Sequence, residues 1–237
     1  MKLETKDLLT GDEISSKEFL ELIDFSIKLK EENKTVKGKQ LLENKTLAML
    51  FEKPSTRTRV SFETGMKQLG GHTIILSLNE MQHSRGESVE DTAKTLSGYV
   101  DGIMARVYEH SFIEDLAKHA TVPVINGLSN SYHPCQTLAD FMTIKEYKKK
   151  FKDLKIAWIG DGNNVCNSLI FGCSKTQTDI VIATPKGFEP NPEVVKKASE
   201  NTTIDLTTDP ESAVKDADIV MTDTFTSIHT SDPKQTE

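Results

Sequence analysis

Between Phe51 and Arg59 the chain reads FEKPSTRTR, placing three hydroxyls and two arginines directly after the apolar run TLAML. An apolar run that gives way to a helical pattern makes this a strand-to-helix turn, where the first backbone N–H groups of the helix have no partner within it. Those groups, the positive end of the helix dipole and the side chains of Ser55, Thr56 and Thr58 can all aim donors at one anion. The planar fork of Arg57 matches two phosphate oxygens at once. The alternative on this stretch alone is a Ser/Thr helix cap flanked by surface arginines. A second set stands in YHPCQTLAD. His133 precedes a proline, which biases it toward an extended conformation, and Gln136 follows at the mouth of a helix, so an imidazole and an amide can both donate to a substrate. A structural loop histidine is the alternative there. Arg106 makes the third set, near the end of DGIMARV, where ligand sites of α/β sheets collect. An arginine in an apolar strand needs a partner or water, and a surface salt bridge is its plainer reading.

These residues need a scaffold, and the pattern supplies one. Short apolar or β-branched runs, KTLAMLF, HTIILSL, DGIMARV and VPVING, alternate with helices near residues 58–69, 87–99 and 111–120. Gly70 and Gly71 close the first helix, as a helix C-terminus prefers. Apolar strands alternating with helices predict a parallel sheet. QTLADFMTIKEYKKK follows as one helix whose lysine run suits a solvated negative helix end. A second alternation comprises strand LKIAWIG, a helix from Asn164 to Lys175, strand DIVIATP, helix PEVVKKASE, strand TIDLTT, helix PESAVKDA and strand DIVMTD. The expectation is an α/β protein of two doubly wound parallel-sheet domains joined by a helix. The boundary falls in or beside that helix, giving domains 1–140 and 141–237 with a cleft between them. IGDGNN lacks the third glycine of a dinucleotide fingerprint.

Composition narrows the function classes. At 237 residues the chain suffices for two modest α/β domains. A net charge of −7 and a pI near 5.5 argue against nucleic-acid binding. No run approaches the roughly 20 apolar residues of a bilayer span, and MKLETKDLLTGDEIS lacks the apolar core of a signal peptide, so a cytoplasmic location is expected. Cys135, Cys166 and Cys173 are odd in number and without metal-binding spacing. Cys166 and Cys173, seven apart, read as buried thiols on one helix face.

Taken together, FEKPSTRTR, MARVYEH and YHPCQTLAD resemble the carbamoyltransferase family, with its Ser-x-Arg-Thr phosphate motif and His-Pro-x-Gln carbonyl motif. WIGDGNN, ATPKG and TDT are similar to the ornithine branch rather than the aspartate branch. The resemblance covers about residues 5–227 and implies carbamoyl phosphate and ornithine as substrates, no metal and no organic cofactor. It implies that Ser55, Thr56, Arg57 and Thr58 hold the phosphate, that Arg106, His133 and Thr58 polarise the carbonyl, and that Gln136 binds the carbamoyl amine. Gln82 would reach the phosphate in a neighbouring subunit's site, which implies a homotrimer. Asn164 and Asp223 would hold the amino-acid end of ornithine, with Ser227 and the backbone of Ile228 close by. An amine attacking the carbamoyl carbon places negative charge on the carbonyl oxygen and the departing phosphate, which is where preorganised donors accelerate transfer.

The chain also departs from the family. Ser227, Ile228 and His229 stand where the family has Ser-Met-Gly, and His229 at a glycine position bears on the turn. A His-Cys-Leu-Pro segment and a final helix that packs on the first domain are not in the sequence, so the second domain is expected to be incomplete. Two readings therefore stay beside carbamoyl transfer to ornithine: transfer to another amine such as putrescine, and an inactive fragment that binds carbamoyl phosphate.

Overall fold

The computed structural model describes residues 3–35, 40–81 and 86–224. In chain order its elements are α1 (Ser16–Thr35), β1 (Thr46–Phe51), α2 (Thr56–Gln68), β2 (His72–Ser77), a 3-10 turn (Leu78–Glu80), α3 (Val89–Ser97), β3 (Gly102–Arg106), α4 (His110–His119) and β4 (Val124–Leu128). Then follow α5 (Pro134–Lys148), β5 (Lys155–Ile159), α6 (Asn164–Thr176), β6 (Asp179–Ala183), α7 (Pro192–Ala198), β7 (Ile204–Thr207), α8 (Pro210–Val214) and β8 (Ile219–Met221). The chain divides into two compact units, Met1–Ile14 with Asp24–Ser129, and Ser15–Ile23 with Asn130–Glu237. The division thus precedes α5, which belongs to the second unit.

Each unit holds a four-stranded, all-parallel sheet, in the orders β2-β1-β3-β4 and β7-β6-β5-β8. Both wind outward in two directions from their first strand, which is the expected doubly wound α/β class. Parallel strands buried on both faces need apolar side chains at every position. In the first sheet Ala48, Leu50, Ile103, Ala105 and Val124 face α3 and α4, where Ile113 and Leu116 are fully buried. Leu47, Met49, Phe51 and Met104 fill the other face against Phe62 and Met66 of α2. In the second sheet Ile156, Trp158, Ile180 and Ile182 are buried, together with Leu169 and Ile170 of α6.

Every expected strand is present, and α2 starts two residues earlier than its periodicity indicates. The element with no counterpart in the periodicity is α1. Its start is fixed by a capping box: the Ser15 N–H and hydroxyl donate to the Glu18 carboxylate (2.8 and 2.7 Å), and the Glu18 N–H donates to Ser15 Oγ (3.2 Å). The buried side chains of Phe19 and Ile23 anchor the same helix. Cys166 and Cys173 are both buried on α6, where burial pushes each thiol well above its ordinary range. Among the described residues no helix is long and apolar enough to cross a membrane.

Candidate active site

In each sheet the winding reverses beside the first strand, and ligand crevices of doubly wound sheets open at the carboxyl ends of the strands there. In the first unit that point lies between β1 and β3. The turn after β1 carries Ser55, which takes the N-cap position of α2 in an extended conformation without using its side chain as a cap. Thr56, Arg57 and Thr58 form the first turn of α2, which contains no acidic residue. The positive helix end therefore faces outward uncompensated. β3 ends in Arg106, where the ladder to β4 shifts by one residue: Ala105 pairs with Asn126 but Arg106 pairs with Leu128. Such a bulge re-aims a side chain at a strand end.

Arg106 Nη1 donates to Thr58 Oγ1 at 2.8 Å, which joins the two motifs across 48 residues of sequence. Burial, and then the Arg57 guanidinium beside it, press Arg106 below its ordinary range; an arginine stays protonated regardless. Among the described residues no carboxylate forms an ion pair with either guanidinium. Two like charges near a helix N-terminus form a setting suited to an anion. Glu52, which sequence reasoning passed over, ties the two loops to each other. Its N–H donates to the Arg106 carbonyl (3.0 Å), and its carboxylate accepts from the Tyr108 N–H. Its position inside FEKPSTRTR was the available signal. A cavity of about 480 Å³ adjoins this turn, lined in part by Glu52, Lys53, Ser55, Thr56 and Arg59.

The corresponding point of the second unit lies between β5 and β8. Asn163 caps α6, its Oδ1 accepting from the N–H groups of Val165 (3.0 Å) and Cys166 (3.1 Å), while its Nδ2 donates to Asp223 Oδ2 at 2.9 Å. Asp223 follows β8, and Asn164, the expected partner in ligand binding, is buried next in line. The glycines of IGDGNN have structural duties here. Gly160 adopts φ +137°, and a side chain at Gly162 would run into the backbone of Glu189 and Pro190. Gly162 also donates its N–H to the Phe188 carbonyl at 2.7 Å.

At the start of α5, His133 takes the N-cap position before Pro134, with φ −140°. Its N–H donates to Ser168 Oγ of α6 at 2.8 Å, so the packing of α5 on α6 fixes the imidazole's backbone. One turn later Gln136 Nε2 donates to Asp140 Oδ1 at 2.9 Å. Burial first, and then Asp223, raise Asp140 to about 6, with the Gln136 bond opposing them. Asp161 is raised by burial and by Asp223 in the same way. Asp140, Asp161 and Asp223 thus concentrate negative charge at the end of the second sheet, a setting suited to an amine cation. Asp140 and Asp161 were not singled out from the sequence, although Asp140 is the last residue of YHPCQTLAD.

The structure thus brings Thr58, Arg57 and Arg106 together with Ser55 and Thr56 in the first unit. In the second it groups Gln136 with Asp140 and Asp223 with Asn163. Gln82, Ser227, Ile228 and His229 lie outside the described residues.

Comparison with known proteins places this geometry. Residues 6–146 match the family model for the aspartate/ornithine carbamoyltransferase carbamoyl-P binding domain, and residues 152–237 match that for the Asp/Orn binding domain. An ornithine carbamoyltransferase of Cenarchaeum symbiosum is 56% identical over 235 residues, covering 99% of this chain and 77% of the relative. One of Bacillus thuringiensis is 51% identical over 232 residues, covering 96% and 72%. The solved ornithine carbamoyltransferase of Pyrococcus furiosus superposes with a TM-score of 0.91 at 49% identity, over 94% of this chain and 74% of that one. With both of its units matched by the two models, the chain belongs to the aspartate/ornithine carbamoyltransferase family.

Proposed function

We propose that the protein is an ornithine carbamoyltransferase, which moves the carbamoyl group of carbamoyl phosphate to the δ-amino group of ornithine and yields citrulline and phosphate. The observation that carries this reading is the pair of guanidiniums, Arg57 and Arg106, held with Thr58 at the N-terminus of α2 without an acidic partner among the described residues. Similarity at 51–56% identity to proteins named for this activity supports it. The first unit takes carbamoyl phosphate, and the second takes ornithine.

In this mechanism Ser55, Thr56, Arg57 and Thr58 grip the phosphate, and Gln82 of a neighbouring subunit reaches the same group. Arg106, His133 and Thr58 donate to the carbonyl oxygen, and Gln136 accepts from the carbamoyl amine. Asn164, Asp223, Ser227 and the backbone of Ile228 hold the amino-acid end of ornithine. The neutral δ-amine attacks the carbamoyl carbon with its lone pair, and the C–O bond electrons return to the phosphate. The amine nitrogen gives up a proton, which the departing phosphate takes, as the new C–N bond forms. Charge grows at two oxygens that already face fixed donors, each worth about 3 kcal/mol in comparable sites. The protein works as a cytoplasmic homotrimer in arginine biosynthesis. The exposed apolar side chains of Val60 and Ile74, beside the β2 edge, are surface that a further copy would cover.

Citrulline formation from carbamoyl phosphate and ornithine tests this, with putrescine as the competing acceptor. Arg57→Ala should lower kcat/KM for carbamoyl phosphate by roughly 100- to 1000-fold, because a charge-assisted grip on the phosphate is lost. Absence of citrulline above the uncatalysed rate, or faster transfer to putrescine, would reject the assignment.

A further inference from the structure

Gln136 and Asp140 stand one turn apart on α5, joined by the 2.9 Å bond from amide nitrogen to carboxylate. The direction of that bond has a consequence for the other end of the amide. An ionised carboxylate accepts hydrogen bonds and has no hydrogen to give, so it can hold only the NH₂ end of a glutamine. The Gln136 carbonyl oxygen is thereby turned away from Asp140, as an acceptor with no donor capacity beside it. An amide without such a neighbour could rotate by half a turn and offer its NH₂ instead.

A glutamine–aspartate pair at this spacing is ordinarily a minor staple on a helix surface, worth a few tenths of a kcal/mol. The surroundings of Asp140 do not fit that role. The side chain is partly withdrawn from water and feels the negative charge of Asp223, and no lysine or arginine among the described residues pairs with it. Both features disfavour a negative charge at this position. An asparagine would bridge to Gln136 without that cost, but it would accept or donate equally and leave the amide free to flip.

We infer that Asp140 is a positioning residue that locks the Gln136 amide with its carbonyl oxygen toward the substrate, so that the site selects a ligand bearing N–H at the carbamoyl position. This rests on the reading of Gln136 as the residue that meets the carbamoyl amine. It makes Asp140 a determinant of which acyl phosphate the enzyme accepts. Acetyl phosphate has nearly the same shape as carbamoyl phosphate, with a methyl group in place of the amine. Against a locked acceptor oxygen the methyl cannot donate, and the oxygen goes without the bond that the carbamoyl N–H would supply.

The experiment measures KM for carbamoyl phosphate and the inhibition constant of acetyl phosphate in the parent, Asp140→Asn, Gln136→Ala and the double variant. Asp140→Asn should shrink the preference for carbamoyl over acetyl phosphate on the order of tenfold, chiefly through a weaker grip on carbamoyl phosphate. It should add nothing in the Gln136→Ala background, since the effect passes through that amide. Melting curves of each variant establish that it is folded. If Gln136→Ala shrinks the preference while Asp140→Asn leaves it intact, the lock is overturned and the role of Gln136 survives. If Asp140→Asn alters only KM for ornithine, Asp140 acts through charge on the acceptor site and the lock is again overturned. Should Gln136→Ala itself leave the preference unchanged, the reading of Gln136 falls and the lock with it.

Discussion

A carboxyl group that shares its surroundings with a second carboxylate holds its proton longer, and Asp140 is in that position on α5. Burial and the negative charge of Asp223, in the segment after β8, outweigh the bond from Gln136 and lift it to about 6, against about 3.9 in an unfolded chain. Below pH ~4 the group is neutral in both states and exerts no effect on folding. Between ~4 and ~6 the unfolded form ionises first, and above ~6 the folded state carries the full penalty of a charge it disfavours. Asp140→Asn should therefore melt at a higher temperature than the parent at pH 7.5, with the difference closing by pH ~4. A difference that persisted unchanged at low pH would show that packing, and not ionisation, sets the cost. Of the residues first noticed in the sequence, Ser55 to Thr58 and Arg106 were legible as polar groups at the end of an apolar run, and His133 and Gln136 as polar groups on either side of a proline at a helix start. Glu52, Asp140, Asp161 and Asn163 were not. Each works on another side chain or loop, 56 positions away for Glu52 and Tyr108 and 60 for Asn163 and Asp223, and residue type alone does not disclose such a partner.

Among the elements, the strands were the readable part, since a parallel strand covered on both faces must be apolar throughout. α1 was hidden because its charges outnumber its core positions, yet Ser15-x-x-Glu18 announced where it starts. Two helical glycines show how differently one residue type can behave. Gly172 of α6 lies where a methyl would meet the Phe141 ring and the Thr137 methyl of α5, whereas Gly65 of α2 has open space. Alanine gains up to about 1 kcal/mol in helix propensity at either site, but overpacking a buried seam costs about 1–3 kcal/mol. Gly172→Ala should destabilise and Gly65→Ala should stabilise slightly, as read by urea unfolding midpoints at constant slope. Equal shifts of the same sign would contradict the close packing of α5 on α6.

For the whole molecule, the proposed homotrimer makes each active site depend on two chains. A subunit lacking Arg57 has a damaged site of its own but can still lend Gln82; a subunit lacking Gln82 has the reverse defect. Mixing inactive Arg57→Ala and Gln82→Ala proteins at equal amounts, with denaturation and refolding, should restore about a quarter of parental citrulline formation, the share of sites that draw both sound groups. No recovery would mean that each site is built from a single chain. One further feature bears on how such a protein can change over generations. The backbone from Phe188 to Pro190 leans on Gly162 closely enough that nothing larger than hydrogen fits. In a saturation library that position should tolerate no replacement. Retuning toward new amines must go around this one fixed point.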